Sequence, residues 1–212
     1  MKVLLAAHGY PPELVGGTES CVQALAHGLA ARGVAVVVVA GSLQCESGYR
    51  TSEAVDRDPA SGAAVRVIRI HRADLYFDHW QKSASARVAE TFAGILAAER
   101  PDLVHVHHWI RLSHDLVATA AGAGIPAVVT LHDLWTTCLL SFRLRSDTQE
   151  ACEELPAASI CLECAGRLPP RTPWQSPGAL AALFAARRDG VRRELALARA
   201  VLVPSRGHAA AI

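Results

Sequence analysis

The sequence predicts an α/β domain built on a Rossmann-like, doubly wound parallel sheet. Two observations carry this. Short runs rich in Val, Ile and Leu recur at 3–7, 34–40, 65–70, 103–107, 127–131 and 201–203, and most are apolar at every position, as strands covered on both faces must be. Segments of helical period separate them, so the order is βαβ-like almost throughout.

The elements follow in order. After the first strand, Val22, Leu25, Ala26 and Leu29 recur at i, i+3, i+4 and i+7, and Gly33 supplies a stop; this is an amphipathic crossover helix. A polar, turn-rich excursion at 41–62 joins the second and third strands without a helix. A second helix is expected near 83–99, ending before Pro101, and a third at about 112–123. A fourth carries Leu180, Phe184, Val191 and Leu195 on one face, with Arg187, Arg188, Arg192 and Arg193 as a basic stripe opposite. Residues 136–177 form a long irregular insertion that holds four cysteines and several prolines. A connection of ~40 residues without regular elements is rare unless something pins it.

With 212 residues, 51% hydrophobic content and a formal net charge of +1, the chain has ample material for one domain spanning 1–212. The neutral balance excludes a broad basic field for nucleic acid. The first apolar run is too short for a signal segment, and no run approaches the ~20 residues that span a bilayer. A soluble, cytoplasmic chain is expected. The arginine stripe reads either as a solvated helix face or as a peripheral contact with anionic lipid at the inner membrane face.

The first strand leads not into G-x-G-x-x-G but into a loop from His8 to Glu19 in which Gly16-Gly17 opens the helix. Adjacent glycines admit close approach of a ligand, and a helix N-terminus offers free N–H donors to a diphosphate. The alternative is a turn that merely needs positive φ.

Further motifs extend the pattern. Pro11-Pro12, Gly16-Gly17-Thr18-Glu19, the Leu-Ala-x-x-Leu-Ala-x-Arg-Gly run ending at Gly33, Pro101-Asp102-Leu103-Val104-His105-Val106-His107 and the run from Gly124 to His132-Asp133 occur in this order. Together they resemble the amino-terminal domains of retaining GT-B glycosyltransferases of family 4. The terminal Val203-Pro204-Ser205 is similar to that domain's exit, and the resemblance covers nearly the whole chain. It implies one acceptor-side half of a two-domain enzyme that moves a hexose from a nucleotide-sugar to a sugar, lipid-linked or small-molecule acceptor, with retention and without a catalytic metal. The donor-binding carboxyl-terminal half is then expected to be absent from this chain, leaving it inactive alone. A non-catalytic sugar-, lipid- or protein-binding module of the same fold is the rival reading.

His132 ends a parallel strand, at the edge where open α/β sheets place ligands, and the resemblance sets it beside the transferred sugar. Asp133 reads as a second catalytic candidate or as a turn former. Gly16, Gly17 and Glu19 are the expected donor contacts, although Glu19 in a first helical turn equally favours the helix dipole. Tyr10, Tyr76 and Trp80 are the expected acceptor contacts; the last two belong to an aromatic cluster that reads equally as core. His105 and His107 share a face, with packing favoured over metal for want of a third ligand.

Cys138, Cys152, Cys161 and Cys164 are separated by thirteen, eight and two residues. Four thiolates at such spacing match structural zinc; unliganded thiols and disulfides are the alternatives. A redox Cys-x-x-Cys would leave Cys138 and Cys152 unexplained. Cys21 and Cys45 read as ordinary cysteines.

Overall fold

The computed structural model describes residues 1–45, 48–73, 84–153, 157–165 and 176–212. Within them lie β1 (Lys2–Ala7), α1 (Gly17–Ala30), β2 (Ala35–Cys45), β3 (Arg50–Arg57), β4 (Ala64–Arg72), α2 (Ala86–Glu99), β5 (Leu103–Val106), α3 (Leu116–Gly122), β6 (Ala127–Thr130), α4 (Ala158–Ala165), α5 (Pro177–Leu197), β7 (Ala200–Leu202) and α6 (Arg206–Ala210). The strands form one sheet in the order β3-β4-β2-β1-β5-β6-β7. All neighbours are parallel except β3 and β4.

Side-chain alternation gives the sheet two buried faces. Val3, Leu5, Ala7, Val36, Val38 and Val67 pack beneath Val22 and Ala26 of α1. Leu4, Ala6, Val37, Val39, Val104 and Val129 pack on the other face with Phe92 and Leu96 of α2, Val117 of α3 and Val191 of α5. Leu25 and Leu29 flank the first cluster half-buried, as their helical spacing predicts.

Local chemistry fixes the helix ends. Ser85 caps α2 by accepting from Val88 N–H, and α2 closes on Arg100 at φ 46° ahead of Pro101. Ser176 caps α5, whose first position is Pro177. α3 starts later than its sequence suggests, at Leu116, and its own Asp115 makes no side-chain cap bond. Glu194 of α5 does that work: its carboxylate accepts from Val117 N–H at 2.7 Å, Ala118 N–H at 2.9 Å and Trp109 Nε1–H at 2.9 Å, with the side chain wholly buried.

Three sequence expectations change. The 41–62 excursion contains an eight-residue strand, β3, which pairs antiparallel with β4; its residues are mostly exposed, so apolar runs could not announce it. The 136–177 insertion contains α4 and a short bridge between Leu144 and Ala151. The arginine stripe is also broken. Arg187 lies on the buried side of α5 with Phe184, Val191 and Glu194, donates to the Trp135 carbonyl, and stacks 4.2 Å from the centroid of the Trp135 ring. Arg192 and Arg193 are exposed and Arg188 is half-buried. Among the described residues, no helix is long and apolar enough to cross a membrane.

Candidate active site at the carboxyl edge of the sheet

β1 has β2 on one side and β5 on the other. The chain therefore reverses its winding at β1, and the crevice beyond the strand ends there is where such sheets hold ligands. His8 follows β1, His107 and His108 follow β5, and His132 and Asp133 follow β6.

These side chains form two groups. On one face, the His105 and His107 rings stand 4.0 Å apart, and the His107 and His132 rings stack at 5.2 Å. His107 Nδ1 and His132 Nε2 are 2.9 Å apart, sharing a hydrogen bond, while His105 Nε2 meets the Thr130 hydroxyl at 2.7 Å. On the other, His108 packs against His8 and Trp135, and its Nε2 lies 3.5 Å from Asp133 Oδ2. The sequence's placement of His105 and His107 together, with packing and hydrogen bonds as their work, agrees with these contacts.

Burial keeps the imidazoles neutral. It pushes His105 down to about 4, with the neighbouring His132 adding to the effect, and His107 down to about 2. His108 is also lowered by burial, to about 4, against the opposing pull of Asp133. His132 is lowered as well, again chiefly by burial. A histidine whose folded pKa is depressed contributes stability that is present above its unfolded value, ~6.5, and is lost as pH falls toward the folded value. Unfolding free energy is therefore expected to fall on acidification from about pH 6.5 towards pH 4, above the range in which ordinary carboxylates titrate. Denaturant melts at half-unit pH steps check this, and a flat profile down to pH 5 would contradict the burial of neutral imidazoles.

The loop from β1 to α1 is fastened from several sides. Glu13 accepts from the Ser42 hydroxyl at 2.6 Å and from the Leu43 and Gln44 N–H groups, and Arg69 Nε stands 3.3 Å away. Burial alone would raise the Glu13 pKa, but these donors and the Arg69 charge hold it below the usual value. Arg69 also donates to the Pro11 carbonyl at 2.8 Å, and Arg111 to that of His8 at 3.3 Å.

Each expected site residue can now be placed. Gly16 and Gly17 are exposed at the start of α1. Neither has positive φ, and a Cβ on Gly17 would meet nothing within 4 Å. The turn thus needs no glycine for its backbone conformation, which removes the alternative held open for it. Glu19 is buried, with His8 Nε2 2.7 Å from its Oε1. The hydrogen bond from His8 is the main cause of its lowered pKa. Its carboxylate thus holds His8 instead of projecting as a ligand contact.

Tyr10 is only 1% exposed and donates its hydroxyl to Asp56 Oδ2 at 2.8 Å. It ties β3 to the loop and has no free face for an acceptor. Asp133 Oδ1 accepts from Trp135 N–H at 2.9 Å, the turn-forming use. His132 is half-buried at the strand end. Tyr76 and Trp80 lie outside the described residues. Cys138, Cys152, Cys161 and Cys164 are unpaired thiols, and among the described residues no three His, Cys, Asp or Glu side chains are gathered as a metal cluster. The expected zinc therefore has no preformed ligand set.

Sequence reasoning missed His8 and Arg111. The strand-end rule that selected His132 applies equally to His8, one residue beyond β1. Arg111 carried no signal, since its position depends on a left-handed turn at φ 63°.

A doubly wound sheet with its polar groups massed beyond the ends of β1, β5 and β6 defines an α/β domain with a polar carboxyl edge, the edge at which such sheets hold ligands. Residues 15–212 match Glycosyltransferase Family 4, and the chain belongs to that family. It is 31% identical over 143 residues to the glycogen synthase of Mycobacterium tuberculosis, from strain CDC 1551 / Oshkosh and equally from strain ATCC 25618 / H37Rv, covering 62% of this chain and 33% of the relative. The chain thus spans about a third of the length of the curated relatives it matches. The fold is shared with the α,α-trehalose-phosphate synthase (UDP-forming) of Burkholderia xenovorans in complex with glucose-6-phosphate, at a TM-score of 0.52 and 10% identity over 99% of this chain and 42% of that one. The expected Rossmann-like GT-B half is the fold found.

Proposed function

We propose that this chain is the acceptor-side half of a retaining hexosyltransferase that uses a nucleotide-sugar donor, and that a second, donor-binding half completes the enzyme. The observation that carries the reading is the open Gly17 at the start of α1, next to Gly16, whose Cβ would meet Glu19 Oε2 at 2.6 Å, together with neutral imidazoles at the sheet's switch point. Glycine at 17 is required neither by φ nor by neighbours in this chain, and without a side chain it admits close approach by a ligand. The first-turn N–H groups of α1, which no N-cap side chain engages, suit the donor's diphosphate.

In this reading His132 hydrogen-bonds a hydroxyl of the transferred sugar and offers a fixed dipole where charge develops. His107 orients the ring from behind. Glu19 and His8 brace the α1 end against β1, while the loop after β1 faces the acceptor. The chain by itself is expected to transfer nothing.

Gly17→Val in the full-length protein tests the reading. A side chain there enters space empty in this chain, so melting should be unchanged while the donor KM rises ~10-fold or more, equivalent to ~1.4 kcal/mol of lost binding. Unaltered kinetics at limiting donor would take the turn out of the site.

A further inference from the structure

Cys138, Cys152, Cys161 and Cys164 come from three separate segments: the turns after β6, the far side of the Leu144–Ala151 bridge, and one face of α4 at i, i+3 spacing. All four line a single small cavity of ≈30 Å³, with Leu139 and Ile160 between them. They surround the cavity without meeting in it, and none is in a disulfide. Among the described residues, the lobe has a small apolar core. Its apolar cluster contains two buried residues, Leu139 and Phe184, with Leu140, Cys161 and Leu162 at the margin. Such a core is too small to order a lobe of this size against chain entropy.

One of the four sulfurs already has a backbone donor. Ser146 N–H donates to Cys164 Sγ at 3.3 Å, the kind of backbone support that metal-bound sulfur receives.

We propose that the four cysteines close on one soft divalent cation, of the Zn²⁺ class, forming a structural site that staples the segment behind His132 to the Leu144–Ala151 bridge and α4. Binding releases the thiol protons to solvent and leaves the sulfur oxidation state unchanged. The site is independent of the transfer reaction, since it would order this lobe whatever the domain's ligand.

The test uses the full-length protein, grown with added zinc and purified without chelator, with metal measured by elemental analysis beside the Cys161→Ser/Cys164→Ser double variant and Cys21→Ser as a control. Cys21 is exposed on α1, away from the lobe. About one zinc per chain is expected in the parent and the control, and loss of that zinc in the double variant. Should the double variant fail to fold, Co²⁺ added to metal-stripped parent protein decides, with the strong visible absorption of tetrahedral thiolate coordination as the supporting result. A zinc-free parent, equal zinc in the double variant, an intact mass showing disulfides, or a weak octahedral Co²⁺ spectrum would each overturn the proposal.

Discussion

His132→Ala in the full-length enzyme is expected to lower kcat by ~10²-fold or more, the usual cost of removing one preorganised polar group from a reacting centre. The substitution also leaves His107 Nδ1 without its partner at 2.9 Å. A loss of ~1–3 kcal/mol in stability is therefore expected as well. The two effects separate when turnover is normalised to folded protein. His107→Asn supplies the contrast: a polar partner remains behind His132, and a fall in kcat much smaller than that of His132→Ala is expected. If both variants lose stability alike and folded enzyme keeps near-normal kcat, His132 is a core hydrogen-bonding residue and the catalytic assignment fails.

The largest loss of stability is expected at Glu194. Among the described residues, its carboxylate is the only side-chain cap on the start of α3, and it also holds the Trp109 indole. Glu194→Ala strands three donors, two of them buried, and opens a void between α5 and α3, and ~3–5 kcal/mol is expected to go. At ~2–4 °C per kcal/mol for a domain of this size, that is a fall of roughly 10 °C in Tm. Glu194→Gln keeps one acceptor oxygen and should fall between parent and alanine variant. Burial acts to raise the Glu194 pKa, with the three hydrogen bonds opposing it, so the acid is held in place by its donors and not by a counter-charge. A Glu194→Ala protein that melted like the parent would show that α3 finds another cap.

The parallel sheet was legible because Val, Ile and Leu at successive positions mark strands buried on both faces. β3 was not, since an exposed edge strand such as Arg50–Arg57 need not be apolar. His132 was legible from its place at a strand end. Its neighbours were harder to read: Glu19 and Tyr10 are ligand-type residues by chemistry, but the fold had already committed them to His8 and Asp56. Arg187 misled for a related reason. Helical spacing put it three residues from Phe184 and four from Val191, on the buried side, and its charge outweighed that spacing in the reading. A buried guanidinium needs a specific acceptor, and the Trp135 carbonyl sits 52 residues away in the chain, beyond the reach of any local pattern.

The stacked imidazoles carry a consequence for the form in which His132 meets a ligand. Both rings are neutral, so the facing nitrogens, His107 Nδ1 and His132 Nε2, hold one proton between them. If His107 supplies it, the remaining nitrogen of His132 is an N–H and can only donate. If His132 supplies it, that nitrogen is bare and can only accept, and the proton on His107 moves to Nε2, which is buried without a partner. Whether the cleft offers a sugar hydroxyl a donor or an acceptor is thus set one strand back, by the tautomer that β5 imposes.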